Sequence, residues 1–378
     1  MSRFLLVVPP LVGHVLPLLG VASALTERGH EVAWAGAGGW LRSIAPDHAV
    51  FDCGIDAFAS DAQRPPDLRG ASALKFLVQD YLVPLAEAML PAVTVAIERF
   101  RPDVVVADQQ TYAGALAADR LGLPWATSAS TSAELSDPFS PKVGQWVIDQ
   151  LDRLRDRSGA TADPRFSEQL ILAFTTPELT GPLSTVARPV RFVGPILDGR
   201  APAKWTPPWP DSDVPTVFVS LGTANANAGA RFLTECAKAL SRRDDLRAVI
   251  VDPAGHLGPQ PPTINVAPFV PQLAVLAHTA LVVCHAGHNT VVEALWHGLP
   301  LVVAPIRDDQ QVIAGQVVEA GAGVRLRFTR ASAEDIADAV DAALAKPEYA
   351  QAARRIQTSF HSGGGAVAAA GLLEELIR

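Results

Sequence analysis

Short apolar runs rich in Val, Ile and Leu alternate along the chain with longer Ala/Leu-rich segments of helical period. The runs predict strands at 4–8, 31–35, 104–107, 126–128 and 191–193. A second series falls at 216–220, 248–251, 264–267, 281–284 and 301–304. Runs with no polar alternation, such as Val104-Val105-Val106-Ala107 and Leu301-Val302-Val303-Ala304, suit strands covered on both faces of a parallel sheet. The segments between them, 17–28 and 114–121 among them, read as crossover helices. A proline-rich, aperiodic segment, 198–213, reads as a linker between two α/β halves. Ser362-Gly363-Gly364-Gly365 reads as a flexible joint before a last helix at 366–378.

Two open parallel sheets place ligands beyond the carboxyl ends of their strands. Two such edges facing each other make a cleft with one substrate on each side. Chemistry is therefore sought in the loops that follow strands.

Composition narrows the classes. Of 378 residues, 49% are hydrophobic and 19% charged, which supplies packed cores and excludes a disordered chain. The net charge of −8 excludes general nucleic-acid binding, which wants a basic face. Cys53, Cys236 and Cys284 are too far apart for a disulfide framework or zinc site and read as buried apolar residues, consistent with a cytoplasmic home. The apolar start, broken at Pro9-Pro10, reads as a buried strand rather than a signal peptide, and no uninterrupted run suggests stable membrane insertion.

The most informative stretch runs from Pro268 to Gly323. The strand ending at Cys284 is followed by His285-Ala286-Gly287-His288-Asn289-Thr290 and a helix expected from about 290 to 297. Gly287 permits close backbone approach, and Asn289 or Thr290 can cap the helix. Its N-terminus then favours a phosphate. Glu293 lies one turn beyond Asn289, where a carboxylate can accept from a ribose diol. On residues alone, Asn289 reads equally as a cap and His285 as a core histidine. The set His285, His288, Glu293 and His297 lacks the two-histidine spacing of a zinc helix.

In the first half, His14 follows the first strand, with Pro17 opening the next helix, and Asp108 ends the strand of 104–107. A histidine at a strand end suits a general base. A carboxylate beside it would set the tautomer. By themselves His14 reads as structural and Asp108 as a helix cap.

The order Phe269-Val270-Pro271-Gln272, H-x-G-x-N-T, Glu293, Gly298-Leu299-Pro300 and Asp309-Gln310 closely resembles the nucleotide-sugar signature of family 1 glycosyltransferases, the UDP-glycosyltransferase and macrolide-glycosyltransferase group. The resemblance extends over essentially the whole chain. It implies the GT-B fold: two Rossmann-like domains facing across a cleft, with the C-terminal helix packing back on the first. The corresponding division is 1–197 for the acceptor, 198–214 as linker, 215–361 for the donor and 362–378 as the returning helix.

By the same resemblance, Phe269 and Val270 meet the base, although many relatives carry Trp where this chain has Phe269. Gln272 and Glu293 bind ribose, and His285, Gly287, Asn289, Thr290 and Thr223 hold the diphosphate. Asp309 and Gln310 bind the donor sugar. His14 and Asp108, in G-H-x-x-P and at the partner position, become the catalytic pair. No role falls to His288.

The implied reaction is inverting and metal-independent. It moves a sugar from a UDP- or dTDP-sugar co-substrate to a small, largely apolar hydroxylated acceptor, a polyketide or phenolic natural product, with no bound cofactor. Weak candidates for the acceptor wall are Phe58, Phe76, Tyr81, Tyr112 and Phe139, with Trp40 and Trp146, beside an irregular loop at 51–71.

A lipid-linked cell-wall precursor glycosyltransferase would need a basic, apolar docking helix that the first half lacks. A non-catalytic nucleotide-sugar binder would lose His14 and Asp108. Gly36-Ala37-Gly38-Gly39 lacks dinucleotide-binding spacing. Asp211-Ser212-Asp213 lies in the linker and reads as a solvated turn. Monomer and homodimer stay open.

Overall fold

The computed structural model describes all residues except 60–67, 69, 137–138, 184–188, 201–202, 211–212, 223–228 and 378. Asp211 and Ser212, and residues 60–67 and 69 of the loop expected at 51–71, lie outside the described residues.

The first sheet holds β1 (Arg3–Val7), β2 (Glu31–Gly36), β3 (Ala49–Asp52), β4 (Val104–Asp108), β5 (Trp125–Ala129), β6 (Ile171–Ala173) and β7 (Val190–Phe192). Its order is β3-β2-β1-β4-β5-β6-β7, all parallel. The second holds β8 (Thr216–Ser220), β9 (Arg247–Val251), β10 (Ile264–Ala267), β11 (Leu281–Cys284), β12 (Leu301–Val303) and β13 (Gly323–Arg325). Its order is β10-β9-β8-β11-β12-β13, again parallel. Both sheets are doubly wound, and each reverses strand order beside its first strand, where a crevice opens.

Alternation explains the apolar runs. Phe4 and Leu6 of β1 pack with helix Val12–Glu27 on one face, while Leu5 and Val7 pack with helix Val83–Phe100 on the other. β3, β6 and β13 escape the hydrophobic pattern. β3 and β13 are edge strands with partly exposed residues, and β6 is only 3 residues long. Too few buried positions repeat there for a period to show.

Helix Gly70–Phe100 is long and apolar enough to cross a bilayer by length and composition. It is instead built into the core, where Leu85, Met89, Val93 and Ala96 are fully buried. Its middle, Phe76–Leu82, winds as a π-helix, a form that often marks functional positions.

The glycine run at 362–365 is a tight crossing rather than a flexible joint. A Cβ on Gly363 would lie 2.7 Å from the Val193 carbonyl oxygen, and the Gly365 N–H donates to that oxygen at 2.8 Å. Helix Gly365–Glu375 then returns to the first sheet. Ala366, Ala369, Ala370 and Leu373 join the core around Phe4 and Leu18. Glu374 accepts from Arg28 and meets His30 Nε2 at 2.8 Å.

Leu373 is fully buried in this contact. Leu373→Ala is expected to destabilise the fold by about 2–5 kcal/mol and to speed amide exchange in helix Gly365–Glu375. Unchanged exchange would show that the ion pairs hold the helix without its apolar face.

Candidate active site

A cleft of about 1740 Å³ runs between the two sheets and is lined from both. Parallel pairing sets its first-lobe wall. β1 and β4 lie side by side with Val7 opposite Ala107, so the residues that follow each strand emerge together. His14 comes from the first turn of helix Val12–Glu27, which starts five residues before the expected Pro17 and keeps Pro17 inside it.

The His14 Nδ1 lies 2.9 Å from Asp108 Oδ1 and 2.7 Å from Ser130 Oγ. Asp108 is fully buried, and its Oδ1 also accepts from the Gln110 N–H at 2.9 Å. A carboxylate can only accept, so it selects the tautomer protonated at Nδ1. Nε2 is then left with its lone pair on a ring that lines the cleft. Burial is the largest effect on His14 and lowers its pKa, but Asp108, then Asp309 and Glu134, outweigh it and raise the pKa above 6.5.

Pro17 has a second consequence. A helix bonds each N–H to the carbonyl four residues back, and proline has no N–H. The Gly13 carbonyl therefore lacks its helical donor, and Asn289 Nδ2 of the second lobe donates to it at 2.9 Å. A Cβ on Gly13 would stand 2.7 Å from that nitrogen.

The second-lobe wall is the loop after β11 and helix His288–Trp296. The helix begins two residues before the expected start. Its N-cap is Gly287, without a side-chain cap, so neither Asn289 nor Thr290 caps it. The N–H groups of the first turn are left for an anion. The Asn289 side chain is spent on the other lobe, which leaves its main-chain N–H for a diphosphate. Burial drives both His285 and His288 down to about 4, so both rings are neutral at pH 7. Ala286 between them takes φ 62°, an uncommon conformation for a residue with a Cβ.

Gln272 Nε2 donates to Glu293 Oε2 at 2.6 Å, joining two of the residues expected at ribose. Val270 is buried at the cleft wall, whereas Phe269 is 75% exposed at its rim. Asp309 Oδ2 accepts from Thr131 Oγ1 of the first lobe at 2.7 Å, and burial raises its pKa. Gln310 lines the cleft, but its Oε1 accepts from the Ile306 and Arg307 N–H groups at 2.9 and 3.0 Å. That oxygen shapes the loop instead of facing a sugar. Thr223 lies outside the described residues.

Phe58, Phe76, Tyr81 and Phe139 line the cleft on its first-lobe side. Tyr112 does not. It is 2% exposed, packed in a core cluster with Leu116 and Leu151, because its helix turns that face inward. Trp40 and Trp146 likewise pack against core clusters, outside the cleft.

Four residues at the site escaped the sequence. Ser130 and Thr131 follow β5, so the rule that ligands gather beyond strand ends could have found them. Glu134 lines the cleft, and burial, partly offset by Arg165, raises its carboxyl to about 7. Arg200 of the linker donates to Glu293 Oε1, a contact with no local signal.

Comparisons with known proteins agree with this fold. Residues 213–363 match the family model of UDP-glucoronosyl and UDP-glucosyl transferases. The chain is 29% identical to 4'-demethylrebeccamycin synthase of Lentzea aerocolonigenes, over 100% of both chains. The crystal structure of the calicheamicin glycosyltransferase superposes with a TM-score of 0.80 at 26% identity, over 100% of this chain and 98% of that one. A spinosyn rhamnosyltransferase complexed with thymidine diphosphate shares the fold, with a TM-score of 0.79 at 22% identity over 99% and 100%.

Asp108→Asn is expected to lower the His14 titration midpoint, because it removes the negative charge that raises it. Nuclear magnetic resonance of labelled imidazoles reads this directly. A midpoint that stays in place would show that Asp108 does not set the charge of the ring.

Proposed function

We propose that this chain, a GT-B glycosyltransferase whose residues 213–363 match the UDP-glycosyltransferase family model, transfers a sugar from a UDP- or dTDP-sugar to a hydroxyl of a small, largely apolar acceptor, with inversion and without a metal. The observation that carries the proposal is the His14–Asp108 pair, with Nε2 left free, across the cleft from an uncapped helix N-terminus. Residues 1–197 form the acceptor domain, 198–214 the linker, 215–361 the donor domain and 362–378 the returning helix.

In this mechanism His14 Nε2 takes the proton of the acceptor hydroxyl as its oxygen attacks the anomeric carbon. The bond from that carbon to the phosphate oxygen breaks, and the nucleoside diphosphate leaves with the electron pair. Asp108 stabilises the imidazolium that forms. The charge on the leaving group meets the first-turn N–H groups of helix His288–Trp296 and the neutral His285 ring, which can donate from one nitrogen. Attack opposite the leaving group inverts the centre.

Gln272 and Glu293 hold the ribose, Val270 and Phe269 the base, and Asp309 a sugar hydroxyl. Thr223 is assigned to the phosphates. The spinosyn rhamnosyltransferase binds thymidine diphosphate, which supports a nucleotide donor here. The aromatic wall of Phe58, Phe76, Tyr81 and Phe139 supports an apolar, partly aromatic acceptor of the natural-product kind. The three free cysteines are buried, which suits a reducing cytoplasm.

His14→Ala is expected to cut turnover by about 10²–10⁴-fold while nucleotide affinity by calorimetry stays level. A base must be unprotonated, and the His14 pKa is raised. In the wild type kcat/KM should therefore fall as pH drops through a midpoint above 6.5. Full turnover by the alanine variant would remove His14 from the chemistry. Activity is also expected to persist in excess EDTA; loss restored by a divalent metal would overturn the account of the leaving group.

A further inference from the structure

Both oxygens of Glu293 already have partners. Gln272 Nε2 donates to Oε2 at 2.6 Å, and Arg200 Nη1 donates to Oε1 at 2.5 Å. The ion pair is sheltered, with side chains 14% and 4% exposed, and Arg200 lines the cleft. Breaking such a pair strands a buried charge, so the guanidinium stays in place when a ligand enters.

The backbone holds Arg200 there. The residue before it, Gly199, has φ +78°, and a Cβ on it would lie 2.9 Å from the Gly20 nitrogen in helix Val12–Glu27. In turn, a Cβ on Gly20 would lie 2.4 Å from Ile196 Cγ2. Ile196 and Gly199 are thus seated on the helix that carries His14, which sets the backbone from which Arg200 reaches Glu293.

A ribose diol chelates a carboxylate with one hydroxyl on each oxygen. Here each oxygen accepts one hydrogen bond, but the partner beside Oε1 is a planar, charged guanidinium, whereas the one beside Oε2 is a single neutral amide N–H. We propose that Arg200 is a specificity-determining residue that denies the second hydroxyl its place, so that the donor site selects a 2'-deoxyribonucleoside diphosphate over its ribonucleoside counterpart. The 3'-hydroxyl donates to Oε2, and the position of a 2'-hydroxyl is filled by the guanidinium. The proposal rests on the assignment of Gln272 and Glu293 to the ribose and chooses between the two donors left open above.

Calorimetric titration with dTDP, dUDP and UDP tests it, because dUDP and UDP differ only in the 2'-hydroxyl. Wild-type protein is expected to bind dUDP at least about tenfold more tightly than UDP, the scale of one charge-assisted hydrogen bond. In Arg200→Gln the dUDP-to-UDP ratio should fall to within about twofold, with the thermal midpoint recorded to show that the variant is folded. A general structural defect would weaken both nucleotides together and leave their ratio unchanged. Tight binding of both nucleotides with UDP equal or better, or a ratio that survives Arg200→Gln, overturns the role of Arg200 alone. No binding of any of the three overturns the donor-site assignment and this proposal with it.

Discussion

The hydrogen bond from Asn289 Nδ2 to the Gly13 carbonyl ties the two lobes together at the point where chemistry is placed. It exists because Pro17 leaves that carbonyl without a helical donor, and because Gly13 has no Cβ to keep Asn289 away. One end sits beside His14 and the other in the first turn of helix His288–Trp296. The same bond therefore sets the separation between the His14 ring and that helix start. Among the described residues, further polar contacts cross the cleft: Thr131 to Asp309, Ser132 to Gln316, Gln316 to Ser136, and Thr176 to Ser359. Each contributes only about 1 kcal/mol net, so the lobes are held in register without being welded. Apolar packing adds to them, since Ala133 and Leu179 join the core of the second lobe.

Doubly wound topology brings the remaining groups to that junction. In each sheet the strand order reverses beside the first strand, and the loops on either side of the reversal face the cleft. Charge is distributed accordingly. Among the described residues, the lining from the first sheet and its helices carries Asp80 and Glu134 but no Lys or Arg, whereas Arg200 and the second lobe's Arg307, Arg325, Arg327 and Arg330 outnumber its Glu293, Asp308 and Asp309. The cations of the lining thus stand on one side of the cleft, and Phe58, Phe76, Tyr81 and Phe139 on the other.

Local sacrifices concentrate at the same place. Of the three positive-φ residues other than glycine among those described, Ala286 and Asp308 lie in the loops after β11 and β12. A residue with a Cβ held there costs about 1–2 kcal/mol. Helix His288–Trp296 forgoes a side-chain cap, worth about 1 kcal/mol elsewhere. Asp108 Oδ2 is buried without a partner among the described residues. Stability is spent where exposed N–H groups and an oriented carboxylate are of use, while the central strands β1, β4, β8 and β11, buried but for Arg3 and Thr216 at their starts, supply the frame.

The sequence by itself determined the class of fold, because strands buried on both faces must be continuously apolar and crossover helices must be amphipathic. Through the order of its motifs it also indicated His14, Asp108 and the loop from His285 to Glu293, which line one cleft. Short edge strands escaped it, since a few half-exposed residues show no period. Tyr112 misled it, because an aromatic that faces a core and one that faces a cleft are spelled alike. Only the tertiary structure decided how the polar groups are shared. Asn289 was legible as a cap, but Pro17, 272 residues earlier in number, leaves the carbonyl that takes its side chain. Arg200 was one residue in a linker until Gly199 seated it against Gly20 and brought it to Glu293. Hydrogen-bond partners distant in sequence leave no periodic trace in either segment, so the pairing becomes visible only once both lobes are folded and facing.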